Sequence, residues 1–151
     1  MSDRMPDLAL EWQCFAQFSA PALYDLLRFR QAIFVVEQAS PYPDLDGLDT
    51  TARHLLLRAD GELEGCLRLV LSPQLRIGRV AVAPALRGRG LARRLMDEAL
   101  RRCRDDHPGQ AVVLTAQARL QRFYASFGFV PTSAPYDDYG LSHVDMRLPP
   151  P

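Results

Sequence analysis

The sequence predicts an α+β fold built on a mixed sheet. Three strand patterns separated by tight-turn signals follow one another and predict an antiparallel meander. A helical pattern then leads from the third of these strands to a short, fully apolar strand, as expected of a parallel crossover to a buried central strand. At 151 residues, the chain is expected to form one domain, residues 1–151.

The first third of the chain predicts a strand, a helix and a long loop. Leu8 to Phe18 has the mixed alternation of a strand. Ser19 is a suitable N-cap for the helix that follows, with Pro21 in its first turn. Apolar residues at helical spacing extend that helix to about Glu37. The segment from Gln38 to Thr51 holds two prolines and a glycine, and loops of this length in compact domains are often functional.

The rest of the chain predicts a meander followed by further strands. Asp60-Gly61 is a hairpin turn signal between the first two of them. A final strand begins after the loop predicted for Pro135 to Gly140. The predicted strands are His54 to Arg58, Leu63 to Ser72, Leu75 to Val82, Ala111 to Thr115, a strand starting at Phe129, and His143 to Leu148.

Two more helices are predicted in this part of the chain, Arg89 to Arg104 and Leu120 to Ser126. Gly128 stands where a C-cap glycine is expected after the second. The first is amphipathic, and its apolar face is formed by Leu91, Leu95, Met96, Ala99, Leu100 and Cys103.

Composition excludes several classes of protein. The formal net charge is zero, which argues against a dedicated binder of nucleic acid or of an anionic membrane. No apolar run reaches the roughly 18 residues that span a bilayer, and the N-terminus lacks the basic region of a signal peptide. Cys14, Cys66 and Cys103 are far apart and do not have metal-ligand spacing. The sequence therefore predicts a cytoplasmic protein with reduced thiols.

The segment Ile77 to Leu95 joins a strand, a glycine-bearing loop and a helix N-terminus. Such an N-terminus presents unpaired N–H groups and the positive end of the helix dipole to an anion. The glycines in Arg87-Gly88-Arg89-Gly90-Leu91-Ala92 let the backbone approach a phosphate closely. The pattern favours a ligand with a pyrophosphate group. By spacing alone, an ordinary tight turn with solvated arginines is equally consistent with it.

This loop resembles the phosphate-binding signature of the GCN5-related N-acetyltransferases (GNAT), Gln/Arg-x-x-Gly-x-Gly/Ala at a helix start. A second family element, an aromatic pair followed by Gly-Phe, resembles Phe123-Tyr124 with Gly128-Phe129. The resemblance extends from about Glu11 to Leu148. It includes features of the ElaA-like subgroup: Phe34 to Gln38, Pro41-Tyr42, Asp44, Asp46-Gly47, Arg53-His54, Ala116 to Ala118, and His143.

The resemblance implies a GNAT-like acyl-CoA N-acyltransferase fold with a central mixed, mostly antiparallel sheet and helices on both faces. It also implies transfer of an acetyl group from acetyl-CoA to a primary amine of a small molecule or peptide, by direct attack in a ternary complex. Many members carry an Asn where this chain has Ala116-Gln117. The residues implied to bind acetyl-CoA are Val80, Ala81, Val82, Arg87, Gly88, Arg89, Gly90, Leu91, Ala92, Gln117, Phe123 and Tyr124.

The catalytic hypothesis makes Tyr124 the general acid for the leaving thiolate and Glu37 the general base for the amine. The other candidates for the base are Asp44, Asp46, His54 and His143. A core aromatic residue and a loop-capping carboxylate are the structural alternatives. Phe123 and Phe127, one turn apart, are the better candidates for core positions. The residues expected to bind the substrate are Asp44, Asp46, His54 and His143.

An acidic loop around Asp44 and Asp46 suggests a cationic substrate, a polyamine or a peptide amine. Asp44 to Gly47 also resembles a fragment of a calcium loop, but the remaining ligands are missing, so no metal is expected. Two other functions stay open: an acyl-CoA sensor without turnover, and an RNA-binding helix in the arginine-rich segment 87–104. Family resemblance leaves a homodimer open, although no segment of the sequence indicates one.

Overall fold

The computed structural model describes residues 6–151, and within that range eight strands form one mixed sheet. Residues 1–5, which enter the argument about a signal peptide, lie outside the described part. The order across the sheet is β1-β2-β3-β4-β5-β8-β6, with β7 also pairing with β8; only the β4–β5 pair is parallel. The strands are β1 (Leu8–Cys14), β2 (Arg53–Ala59), β3 (Glu62–Val70), β4 (Leu75–Val82), β5 (Val112–Gln117), β6 (Val130–Pro131), β7 (Tyr136–Asp138) and β8 (Leu141–Leu148).

Three α-helices accompany this sheet in the described range. Ser19 caps the first as predicted, because its hydroxyl accepts a hydrogen bond from the Ala22 N–H at 3.2 Å. A π-helical turn, Ala32–Glu37, continues that helix to the predicted end. The helices are α1 (Ala20–Gln31), α2 (Leu91–Asp106) and α3 (Gln121–Ala125), and short 3₁₀ turns occupy Phe15–Gln17, Pro84–Leu86 and Ala118–Leu120.

The two faces of the sheet are covered unequally. The predicted apolar face of α2 is buried, and it packs with β2–β5, β8, Tyr124 of α3 and Phe129 into the main core. On the opposite face, Leu26 and Ile33 pack over β2–β4 in a smaller cluster. The predicted fold, an α+β mixed sheet with helices on both faces, is confirmed.

Two local predictions are wrong. The first strand ends at Cys14, not Phe18, because the Gln17 side chain accepts a hydrogen bond from the Cys14 N–H at 2.8 Å and closes a 3₁₀ turn. The predicted loop from Pro135 to Gly140 contains β7, whose residues pair with the start of β8. A strand of three residues depends on its partner, so local alternation does not reveal it.

The sheet separates between β4 and β5. These strands pair only through Leu75↔Val112 and Arg76↔Val113, near the beginning of each strand. Further along, residues of both strands line a cavity instead of pairing with each other. This separation creates the space for a functional site at the carboxyl ends of the two strands.

A β-bulge lies on β4 next to that separation. Cys66 pairs with Ala81 and Arg68 pairs with Gly78, so β4 has one more residue than β3 between these pairs. Arg79 has a φ of +52° there, a left-handed conformation that costs a non-glycine residue about 1 kcal/mol. The bulge accompanies a group of contacts between Arg79 and the loop of residues 38–52.

Candidate active site

The loop before α2 exposes backbone donors. Gly88 and Gly90 have φ values of +78° and +76°, which glycine adopts without a steric penalty. Gly90 is the N-cap of α2 and has no side chain with which to cap it. The first-turn N–H groups of Leu91 and Ala92 therefore have no acceptor within the helix. A Cβ built at either glycine meets nothing within 4 Å, so the space in front of the loop is open.

Arg87 is engaged in structural contacts beside this loop. Its Nη1 and Nη2 atoms donate to the two Glu37 carboxylate oxygens at 2.8 and 2.9 Å. Its Nε donates to the Val82 carbonyl at 3.0 Å. The guanidinium thus joins the end of the first helical segment to the end of β4. This fork-to-fork pairing leaves the Arg87 side chain poorly placed to bind a phosphate as well.

The other arginines near the loop differ in their freedom. Arg93 donates to the Ser126 hydroxyl at 2.7 Å and lies over the Phe127 ring at 4.5 Å, which fixes it against α3. Arg89, in the loop before α2, and Arg94, in the first turn of α2, are both exposed. These two side chains have the freedom to reach an anion bound at the helix N-terminus.

Two cavities meet beside Tyr124. The first, here called the donor-side cavity, has a volume of about 220 Å³ and lies between the end of β4, the start of α2 and α3. Its wall includes residues predicted to contact acetyl-CoA or to catalyse the reaction: Glu37, Val80, Ala81, Val82, Arg87, Ala92, Phe123 and Tyr124.

The second cavity, here called the acceptor-side cavity, has a volume of about 320 Å³ and fills the separation between β4 and β5. Gln117, predicted to bind acetyl-CoA, lines this cavity instead, as do Asp46 and His143. The residues common to both walls are Phe34, Gln38, Val80, Leu120 and Tyr124. Two compartments that share Val80 and Tyr124 can bring two substrates together at one point.

Tyr124 is the deeply buried member of its aromatic group. It is 8% exposed, and its ring packs edge-on against Phe123 and Phe129 at centroid distances of 5.1 and 6.3 Å. The expectation that Phe123 and Phe127 hold the core positions needs correction, because both are only partly buried. Burial raises the pKa of the Tyr124 phenol to about 12, so the hydroxyl keeps its proton at neutral pH.

The acidic loop is neutralised by buried arginines. Asp44 and Asp49 receive hydrogen bonds from Arg30, which also donates to the Asp44 carbonyl. Arg68 donates to both Asp46 oxygens at 2.8 and 2.9 Å and to Asp49 at 3.1 Å.

Arg79, the bulge residue, completes this ion network. It contacts Asp44 at 2.7 Å and Asp46 at 3.2 Å, and its guanidinium lies 4.8 Å from the Tyr42 ring centroid. Although burial opposes ionisation, hydrogen bonds from Arg68 lower the pKa of Asp46 to about 2. The loop therefore presents paired charges, which removes the electrostatic argument for a cationic substrate.

Asp44 and His54 lie away from both cavities. Asp44 is 6% exposed, and His54 is 2% exposed with its Nε2 atom 2.9 Å from the Asp49 carbonyl. Burial lowers the pKa of His54 and favours its neutral form. These positions favour a role in holding the loop rather than a direct contact with substrate.

A polar stripe on the sheet borders the acceptor-side cavity, and of its residues sequence reasoning named only Gln117 and His143. The Tyr136 and Thr115 hydroxyls donate to Asp145 Oδ1 at 2.6 and 3.1 Å. Arg76 donates to the Thr115 hydroxyl at 3.3 Å. These residues come from four strands, and their register places them on one face of the sheet.

The buried thiols are unsuited to nucleophilic catalysis. Burial raises the pKa of Cys66 to about 12 and that of Cys103 to about 11. Each therefore stays a thiol at neutral pH, which disfavours an acyl intermediate on either of them. Residues 6–151 contain neither a group of three or more potential metal ligands nor a helix of the length and apolarity that a membrane span requires.

Comparison with known proteins agrees with this geometry. The family model of the acetyltransferase (GNAT) domain matches residues 29–149. The chain is 42% identical over 145 residues to Protein ElaA of Escherichia coli (strain K12), covering 91% of this chain and 95% of that protein. The crystal structure of Escherichia coli ElaA matches with a TM-score of 0.85 and 41% identity, covering 92% and 99% of the two chains.

A second solved structure is similar to the same extent. It is an acyl-CoA N-acyltransferase from Pseudomonas aeruginosa, with a TM-score of 0.87 and 37% identity, and the match covers 93% of this chain and 99% of that one. The chain therefore belongs to the GNAT acetyltransferase family, as a relative of ElaA.

Proposed function

We propose that this protein transfers an acetyl group from acetyl-CoA to a primary amine of a small molecule or peptide, by direct attack in a ternary complex. The observation that carries the proposal is the meeting of the two cavities at Val80 and Tyr124. The donor-side cavity opens next to an uncapped helix N-terminus suited to a pyrophosphate. The acceptor-side cavity has the polar wall that an amine substrate requires.

The donor half is suited to acetyl-CoA through backbone groups. The N–H groups at the beginning of α2 accommodate the pyrophosphate, with Arg89 and Arg94 able to add charge. Because β5 does not pair with β4 beyond Arg76, the edge of β4 at Val80 to Val82 faces no partner strand and can accommodate an extended pantetheine arm. One acceptor on this edge, the Val82 carbonyl, already receives a hydrogen bond from Arg87 Nε. The similar Pseudomonas aeruginosa protein is described as an acyl-CoA N-acyltransferase, which supports an acyl-CoA donor.

Tyr124 assists departure of the thiolate in this scheme. The amine lone pair attacks the thioester carbonyl carbon, the C–N bond forms and the C–S bond breaks. A free thiol has a pKa of about 8.5, so the sulfur can leave as thiolate. Because the pKa of Tyr124 is about 12, the phenol acts mainly as a hydrogen-bond donor to the sulfur. The two steps need no covalent enzyme intermediate.

The placement of Glu37 revises its predicted role. Its carboxylate is held by both terminal nitrogens of Arg87, and it lines the donor-side cavity only. A base for the acceptor amine must reach the acceptor-side cavity, which Glu37 does not line. We assign Glu37 to holding Arg87 against β4.

The test is acetyl-CoA binding by calorimetry, with wild-type protein, Gly90→Ala and Gly90→Glu side by side. Both variants carry the same strain at a φ of +76°, so their difference isolates the added charge. We expect Gly90→Ala to weaken binding modestly and Gly90→Glu to abolish it. Absence of wild-type binding, or equal affinity of the two variants, would contradict a pyrophosphate at this loop.

Turnover is then measured as thiol release from acetyl-CoA with glycine, 1,4-diaminobutane or triglycine as the amine. Release that depends on one of these amines supports the transferase. Tight acetyl-CoA binding without release favours the alternative, an acyl-CoA sensor. Three free cysteines accord with a reducing compartment, and we propose a cytoplasmic enzyme.

A further inference from the structure

We propose that His143 is the general base that removes the proton from the acceptor amine. This inference rests on the proposed N-acetyltransferase function, and it assigns the general base, which that proposal leaves without a residue. An alkylammonium has a pKa of about 10, so the reacting amine arrives mostly protonated at neutral pH. A base must therefore line the acceptor-side cavity and have a lone pair available.

Three carboxylates near the site, those of Asp46, Glu37 and Asp145, are poorly suited to this task. Asp46 lines the acceptor-side cavity, but Arg68 and Arg79 bind it, and its pKa is about 2. Glu37 is paired with Arg87 and lines only the donor-side cavity. Asp145 already accepts hydrogen bonds from Tyr136 and Thr115. Asp138 is the remaining carboxylate on the wall of the acceptor-side cavity, which it shares with Arg68, Arg76 and Arg79.

His143 has a fixed tautomer. Its Nδ1 atom lies 2.8 Å from the Leu141 carbonyl oxygen. A carbonyl oxygen only accepts hydrogen bonds, so Nδ1 must carry the ring proton. The neutral ring then has its lone pair on Nε2. The Leu141 carbonyl thus holds the imidazole in the tautomer that accepts a proton at Nε2.

The surroundings of His143 define its position. On β8 it pairs with Gln117 of β5 and with Tyr136 of β7, whose ring centroid lies 6.4 Å away at an interplanar angle of 31°. The ring lines the same cavity as Tyr124. The other charged groups that face this cavity are Asp46, Arg68, Arg76, Arg79 and Asp138.

The proton balance follows from these positions. Nε2 of His143 takes one proton from the ammonium, directly or through a water molecule, and later releases it to solvent. The neutral amine attacks the thioester carbonyl carbon. A second N–H proton is lost as the amide forms and ends on the sulfur, with the Tyr124 hydroxyl beside it. One ammonium and one thioester thus give one amide, one thiol and one proton.

The test uses His143→Asn, which keeps a side-chain N–H for the Leu141 carbonyl and removes Nε2. His107→Gln, at the end of α2 and on neither cavity wall, is the matched control. Thiol release from acetyl-CoA is measured against pH with whichever of glycine, 1,4-diaminobutane and triglycine wild-type protein uses fastest. Calorimetry reports acetyl-CoA affinity separately.

We expect His143→Asn to lower kcat by about 10²–10⁴-fold with unchanged acetyl-CoA affinity, and to lose the fall in rate that protonation of a base causes at low pH. His143→Ala should regain activity when free imidazole is added, which a purely structural role does not predict. The inference is overturned if His143→Asn keeps the acidic limb and a kcat within threefold of wild type. If wild-type protein binds acetyl-CoA and uses none of the three amines, the proposed function fails together with the inference.

Discussion

Replacement of Arg30 by Met tests the ion network that holds the acidic loop. Arg30 is 1% exposed and donates four hydrogen bonds, three to the carboxylates of Asp44 and Asp49 and one to the Asp44 carbonyl. Methionine keeps much of the side-chain length but removes every donor. Two buried carboxylates then lose a guanidinium that they now share.

The expected loss of stability in Arg30→Met depends on the ion pairs that Asp44 and Asp49 keep. Removing one partner of a buried ion pair costs about 3–5 kcal/mol, because a charge is left buried without compensation. Asp44 keeps Arg79 at 2.7 Å and Asp49 keeps Arg68 at 3.1 Å, which moderates the loss. We therefore expect the lower end of the range, about 3 kcal/mol off the free energy of unfolding.

Urea unfolding followed by circular dichroism measures this loss. With a typical m-value of about 2 kcal/mol per molar urea, the midpoint should fall by roughly 1.5 M. Arg28→Met is the matched control, because Arg28 is exposed on the same helix, and it should change the midpoint little. A loss below about 1 kcal/mol for Arg30→Met, or one equal to that of Arg28→Met, would refute the reasoning.

Three further predictions concern single side chains. Tyr124→Phe should lower kcat about 10–100-fold without changing acetyl-CoA affinity, because it removes one hydrogen bond to the leaving sulfur; unchanged kcat in the thiol-release assay argues against that bond. Glu37→Gln should raise the KM for acetyl-CoA by loosening Arg87 while kcat stays near wild type; a hundredfold fall in kcat restores Glu37 as the base. Although burial opposes ionisation, hydrogen bonds from Arg68 hold the pKa of Asp46 at about 2, below its ordinary 3.8. The unfolded chain therefore binds more protons at this group than the folded chain does. The stabilisation that ionised Asp46 provides is lost as the pH falls from about 4 to about 2. Urea unfolding at pH 5 and pH 3 should show a smaller decline in Asp46→Asn than in wild type, and equal declines would contradict this assignment.

The sequence predicts the parts of this fold that depend on local patterns. The apolar face of α2 is recognisable because burial repeats with the helical period, and Ser19 because a cap acts on its own helix. β7 and the end of β1 escape prediction, since one needs a partner strand and the other a turn closed by Gln17. Local signals thus fix the long elements and leave the short, context-dependent ones open.

The same distinction applies to the site. The glycine loop is predictable because its two positive φ values and the helix start are adjacent in the chain. The ion network is not, because Arg30, Arg68 and Arg79 lie on three different elements and their partners are 14 to 35 residues away. The one available signal is an arginine amid the apolar residues of β3, in CLRLV. Without those cations, three nearby aspartates suggest a negative surface that the folded protein does not present.

The wall shared by the two cavities has a consequence for how this scaffold can change. Five residues belong to both compartments, while the greater part of the acceptor-side lining touches that cavity alone. Mutations at Leu48, Thr115 or Leu141, for example, reshape one compartment without altering the other. Under the proposed function, descendants of such a chain can exchange one amine for another while they keep the same donor-side cavity. For engineering a new acceptor specificity, the residues that line only the acceptor-side cavity are the positions to vary, because changes there leave the donor-side cavity intact.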